Sequence, residues 1–162
     1  MVSRKGPQPA SAEHRLAELG IELPPAPTPL GAYVESVQTG NLLYLSGVLP
    51  VIGHEPKFIG RLGREYNAVQ GREAARLATL NVLSAARDHL GSLDKVTRVV
   101  KLTVYLATEE GFFAHPKVAD AASELLRDVF GEDKLPVRMV LGVASLPLGV
   151  PVVLEVLFEV EG

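Results

Sequence analysis

The sequence predicts an α+β fold: a mixed β-sheet with two helices packed on one face, in the order β-β-(β)-α-β-α-β-β. Three observations carry that reading. The C-terminal stretches Arg138 to Ser145 and Val152 to Val160 alternate with the period of 2 that marks strands. Asn67 to His89 and Pro116 to Phe130 place apolar residues at helical spacing. Between those helices, Val96 to Thr108 reads as a long strand, with an apolar face broken only by Arg98.

Taken in order, Met1 to Ala10 is polar and proline-bearing and reads as a disordered lead. Ser11 to Leu19 is a short helix, with Ser11 as N-cap, Gly20 as its stop, and Leu16 and Leu19 packing on one side. Pro24-Pro25-Ala26-Pro27 forces an extended linker. Residues 1–28 are thus an N-terminal extension, and residues 29–162 one domain.

Tyr33 to Gln38 and Leu42 to Ser46 form a hairpin around Thr39-Gly40-Asn41. Val48 to Gly63 is a glycine-punctuated loop with a short strand near Phe58-Ile59, and from Val51 on its length suits a lid. The first long helix carries a stripe of Ala75, Ala78, Val82, Ala85 and Ala86, small enough to lie close to a sheet. The second carries Val118, Ala121, Ala122, Leu125, Leu126 and Val129, with Pro116 in its first turn and Gly131 at its end.

Strand alternation divides the sheet into two faces. In the long strand Val96, Val100, Leu102, Val104 and Leu106 share one face; Thr97, Val99, Lys101, Thr103 and Tyr105 share the other. In the last strand Val152, Leu154, Val156, Phe158 and Val160 make an apolar face. The second face of the sheet is expected to carry Arg138, Glu155 and Glu159 among Tyr44, Val99, Tyr105, Val140 and Leu157. A patch of that kind predicts association with further copies of the chain.

The chain has 162 residues, enough for one domain that buries a sizeable core without a staple. It has no cysteine, which excludes disulfides, thiolate metal sites and cysteine nucleophiles. A net charge of -3 and the lack of a basic stripe argue against nucleic-acid binding. Without a transmembrane-length apolar run or a signal-peptide h-region, the expected address is the cytoplasm, with no membrane partner. His14, His54, His89 and His115 have no metal-ligand spacing, and neither a P-loop nor a dinucleotide fingerprint occurs. No metal and no cofactor are expected.

Arg138, at a strand mouth after Pro136, suits bidentate capture of a carboxylate. The competing reading is a salt bridge between subunits, with Glu155 or Glu159. Glu155 suits a general base or a water-positioning group; otherwise it pairs with Lys101 or Arg138. Ser46, before Gly47, either donates to an anion or satisfies a turn.

Leu30-Gly31-Ala32-Tyr33, Leu45-Ser46-Gly47-Val48-Leu49-Pro50, Ala74-Ala75 through Asn81, Leu93-Asp94-Lys95-Val96, Pro136-Val137-Arg138 and Leu146-Pro147-Leu148-Gly149 together resemble the Rid (reactive intermediate deaminase) family, also called the YjgF or endoribonuclease L-PSP family. The resemblance spans about Pro29 to Glu159, and the N-terminal helix resembles a longer branch of that family. It implies a chorismate-mutase-like fold and a homotrimer with clefts between subunits. It also implies hydrolysis of 2-aminoacrylate-type imino acids to 2-keto acids and ammonia. By resemblance Arg138 grips the substrate carboxylate. Tyr33, Ser46, Gly47 and Val140 line the cleft, and Ser123 stands where the family has an asparagine. Val153 stands where the family has a water-orienting glutamate; Glu155, two residues on, matches a second family glutamate that is usually structural.

The expected function is therefore an imine deaminase working through Arg138 and Glu155. A non-catalytic trimer that binds small carboxylates or docks a partner is the alternative, favoured by Val153 and Ser123. Ribonuclease activity stands third, against the acidic balance of the chain.

Overall fold

A computed structural model describes residues 10–162. The elements run α1 (Ala12–Glu18), β1 (Ser36–Thr39), β2 (Leu42–Leu45), β3 (Val51–Ile52), β4 (Glu55–Pro56), α2 (Ala68–Leu90), β5 (Val96–Ala107), α3 (His115–Phe130), β6 (Val137–Val143) and β7 (Val152–Val160). The disordered lead expected over Met1 to Ala10 lies outside the described residues, apart from an exposed Ala10.

The main sheet has the order β1-β2-β7-β5-β6. It is mixed, as expected: β5 and β6 are parallel, joined through α3, and the other pairs are antiparallel. β3 and β4 form a separate two-stranded hairpin. The short strand expected near Phe58-Ile59 is absent; those residues are held instead by Tyr66, whose ring meets Phe58 edge-on at 5.7 Å and whose hydroxyl accepts from the Ile59 N–H.

α2 and α3 pack side by side on one face of the sheet. Every residue of the two expected stripes is buried. α2 begins in a capping box: Asn67 Oδ1 accepts from Gln70 N while Gln70 Oε1 accepts from Asn67 N. It ends at Gly91, whose φ of 82° is a left-handed cap that glycine adopts without a Cβ clash. Phe158, fully buried on β7, meets Phe130 of α3 at 5.8 Å between ring centroids. Such a side chain contributes about 1.5–3 kcal/mol by leaving water.

α1 is a third helix, capped by Ser11 and anchored through Leu16, which is buried. Leu19, expected to pack beside it, faces solvent at 49 % exposure, because the helix has already turned into its C-cap there. Glu13 ties the extension to the domain. Its carboxylate accepts from Arg87 Nε and Nη2 at 3.1 and 2.6 Å and from the Leu93 N–H at 2.9 Å. Ser84 Oγ donates to the Pro24 carbonyl at 2.7 Å and fixes the linker on α2.

Two side assignments differ from the sequence reading. In β5 the register shifts between Val96 and Arg98 and again between Val99 and Lys101. Each irregularity interrupts strict alternation. Val99 is thereby turned into the core and Val100 is only half-buried.

The larger difference is in β6, which pairs with β5 so that Arg138, Val140 and Gly142 stand beside Leu102, Val104 and Leu106. Those partners are core residues. Arg138 and Val140 therefore lie on the helix face, opposite to the expectation. Val137, Met139 and Leu141 occupy the open face with Val37, Tyr44, Tyr105 and Leu157.

The loop from Val51 to Gly63 is tied at several points. Asn81, buried on α2, donates to the Leu49 and Val51 carbonyls at 3.0 and 2.7 Å. Gly60 N donates to Gly149 O and Leu62 N to Ala107 O. Arg61 donates through Nε and Nη2 to the Ala144 carbonyl and through Nη1 to Glu109 at 2.7 Å.

Candidate functional site

All the expected site residues except Glu155 fall into two clusters on different faces of the sheet. The first is built on the edge strand β6. Pro136 fixes the approach, and Arg138 turns its side chain toward α3. There Asp120 and Ser123, three residues apart on the helix, share a face. Arg138 Nη1 donates to Asp120 Oδ1 at 2.7 Å and to Ser123 Oγ at 3.1 Å.

Those two bonds use both hydrogens of one terminal nitrogen. The Nε–Nη2 edge has no partner among the described residues. That edge is the fork that accepts a carboxylate through two parallel hydrogen bonds. The Arg138 side chain is 27 % exposed, so the edge is partly desolvated yet reachable. Val140 follows on the same face, half-buried. Beyond it Gly142 leaves room for His115: a Cβ there would stand 2.7 Å from His115 Nε2 and 3.1 Å from Thr108 Oγ1.

The second cluster gathers around the end of β2. Tyr33 accepts a hydrogen bond from the Leu30 N–H at 3.0 Å. Ser46 Oγ donates to the Val34 carbonyl at 2.6 Å, so its proton serves the local chain path. The N–H groups of Ser46 and Val48 are bonded to the Glu35 and Leu154 carbonyls. The Gly47 N–H between them has no partner among the described residues, and Gly47 is exposed. Val153 lies against it: a Cβ on Gly47 would come 3.2 Å from Val153 Cγ1. The cluster thus offers one free backbone donor, a phenol and an apolar wall.

A cavity of 20 Å³ opens among Tyr33, Glu35, Gly47, Val48 and Val51. That is room for about one water molecule. Burial pushes the Glu35 carboxyl above the ordinary glutamate range, and among the described residues no cation or hydrogen-bond donor offsets its partial removal from water.

Glu155 stands apart from both clusters. It is exposed on the open face beside Thr103, in a 270 Å³ hollow with Tyr44, Lys101 and Leu157. It pairs with neither Lys101 nor Arg138 among the described residues. Arg138 is on the opposite face, and Glu159 instead accepts from Thr97 Oγ1 at 2.8 Å. Neither intersubunit carboxylate proposed for Arg138 is its partner within the chain; Asp120 is.

Two site residues escaped the sequence reading. Asp120 has a visible signal, its i,i+3 spacing to Ser123, but placing Arg138 on the open face hid the connection. Glu35 lies two residues after Tyr33, in the bend before β1, and lines the same small cavity. Among the described residues no group of His, Asp or Glu is arranged to hold a metal ion, and no helix is long and apolar enough to cross a membrane.

Residues 13–160 match the family profile described as "YjgF/chorismate_mutase-like, putative endoribonuclease". A protein named TCP17 from Trypanosoma cruzi is 40% identical over 147 residues, covering 90% of this chain and 92% of its own. A 2-iminobutanoate/2-iminopropanoate deaminase from Dermatophagoides farinae is 31% identical over 143 residues, covering 87% and 95%. A Shewanella oneidensis crystal structure described as "a putative endoribonuclease" superposes with a TM-score of 0.89 at 31% identity, over 93% of this chain and all of that one. The profile takes in both clusters and the whole sheet, and the chain belongs to the YjgF/Rid family.

Proposed function

We propose that this protein hydrolyses small 2-imino acids to 2-keto acids and ammonia, in clefts completed by a second copy of the chain within a homotrimer. The observation that carries the reading is Arg138, whose Nε–Nη2 edge is held ready for a carboxylate by Asp120 and Ser123. The deaminase named among the relatives supports the same chemistry.

The arrangement of the two clusters supports the assembly. In one chain β5 separates β6 from β7, and the clusters lie on opposite faces. A substrate as small as an imino acid cannot touch both in a single subunit. A second chain that covers the open face and reaches round the β6 edge would bring its own Tyr33–Gly47 cluster to Arg138, and would bury the exposed apolar row of Val37, Tyr44, Val137, Met139 and Leu141.

Within such a cleft Arg138 fixes the acid group and Val140 packs beside it. Gly47 N–H and Tyr33 supply donors near the reacting carbon. Imines already react with water, so holding the acid group and excluding bulk solvent does much of the work.

A second reading rests on Val153. Its methyls face Gly47 where a carboxylate would be needed to orient water, and that favours a carboxylate-binding module without turnover.

Generating 2-iminobutanoate in situ from threonine with a dehydratase, and trapping residual imine with semicarbazide, separates the two. Faster loss of imine with the protein, abolished in Arg138→Ala, is the expected outcome. Stabilisation by 2-ketobutanoate without acceleration would establish the binding module instead.

A further inference from the structure

Resting on that deaminase reading, we infer that Glu35 is the carboxylate that activates the attacking water. Glu35 lines the one-water cavity together with Tyr33 and Gly47. Its backbone carbonyl accepts the Ser46 N–H at 2.9 Å, which locks the segment carrying it to the end of β2. The carboxylate itself has no hydrogen-bond or ion-pair partner among the described residues. The other acidic candidate, Glu155, is exposed in a separate hollow on the open face.

The surroundings suit a base. Of the residues lining the cavity only Glu35 and Tyr33 titrate. On the neighbouring β3–β4 hairpin His54 is bonded to Thr28, and on α2 His89 is bonded to Ser36 and Gln38. Among the described residues no cation neutralises Glu35. Partial burial raises its affinity for a proton, which is what a general base for water requires.

The step balances without a co-reactant. The water oxygen bonds to the imine carbon while the C=N π pair moves to nitrogen. Glu35 takes a proton from the water and returns one to that nitrogen, giving a neutral carbinolamine. The C–N bond then breaks, the hydroxyl proton passes through Glu35 to the departing nitrogen, and ammonia leaves behind the keto acid. Glu35 ends as it began, ionised.

The test compares wild type, Glu35→Gln and Glu35→Asp in the imine assay across pH, with 2-ketobutanoate binding followed by thermal shift. A folded Glu35→Gln should lose about 100-fold or more in kcat with KM and ketoacid binding little changed. The acidic limb of the wild-type profile should disappear with it, and Glu35→Asp should recover part of the rate. Full activity in Glu35→Gln overturns the assignment while the deaminase reading stands. Loss of ketoacid binding along with rate would make Glu35 structural and also overturns it. No acceleration by wild type removes both.

Discussion

Arg138 is held by one terminal nitrogen, and the partner that holds it is also its rival for charge. Asp120 Oδ1, at 2.7 Å, orients the guanidinium but opposes any anion docking on the free edge. At a separation of about 6 Å in a water-like medium that opposition is worth about 0.7 kcal/mol, or about threefold in affinity. Asp120→Asn keeps an acceptor for Nη1 and removes the charge. We expect 2-ketobutanoate to bind about threefold tighter at low salt, the gain shrinking toward physiological ionic strength. Isothermal titration at two salt concentrations reads it. The fold itself should lose no more than about 1 kcal/mol, since the pair is half exposed.

At the scale of elements, α1 is the piece whose attachment depends on ionisation. Burial raises the Glu13 pKa, but the hydrogen bonds from Arg87 and the Leu93 N–H and the Arg87 charge together hold it below the ordinary glutamate value. The ionised form therefore favours the folded state. Its contribution is fully present above the unfolded glutamate pKa and is lost as pH falls through the lowered folded value. Glu13→Gln should cost about 1–2 kcal/mol at neutral pH. Urea melts should show that gap closing below about pH 4, where wild type has protonated Glu13 as well.

The elements also show what could be read from the chain beforehand. α2 and α3 were legible because small and branched apolar residues recur on one stripe and Asn67, Gly91 and Gly131 punctuate their ends. Arg138 was legible as a lone guanidinium at a strand mouth. Its face was not. Alternation says which residues share a side of a strand, never which side is core; the register with β5 decides that. Met139 and Leu141 are more apolar than Arg138 and Gly142, so composition favoured the wrong side. The β5 irregularities that turn Val99 inward also leave no mark in a run of valines. Glu35 precedes any regular strand, so no periodicity points to it.

For the whole molecule, the inverted face of β6 is itself the argument for assembly. A strand that turns an arginine toward the helices and Val137, Met139 and Leu141 toward water is costly in an isolated chain. Val137 is 69% exposed and Met139 52% exposed, beside Val37 and Tyr44 on the same face. A row of that length on a mixed sheet becomes favourable only when another surface covers it. The hollow around Glu155 and Lys101 lies within the same face, so its two charges would face the partner chain rather than one another. We expect sedimentation equilibrium at micromolar concentration to give the mass of three chains. Met139→Asp, which sets an unpaired charge in the middle of the covered row, should shift the population to monomer while leaving the α2–α3 core, and hence the helical circular dichroism, intact. Imine turnover should fall with the trimer, because the Arg138 cluster would then lose the Tyr33 and Gly47 supplied by its neighbour. A monomeric wild type with full activity would mean that one chain closes the site alone, and would overturn the shared cleft.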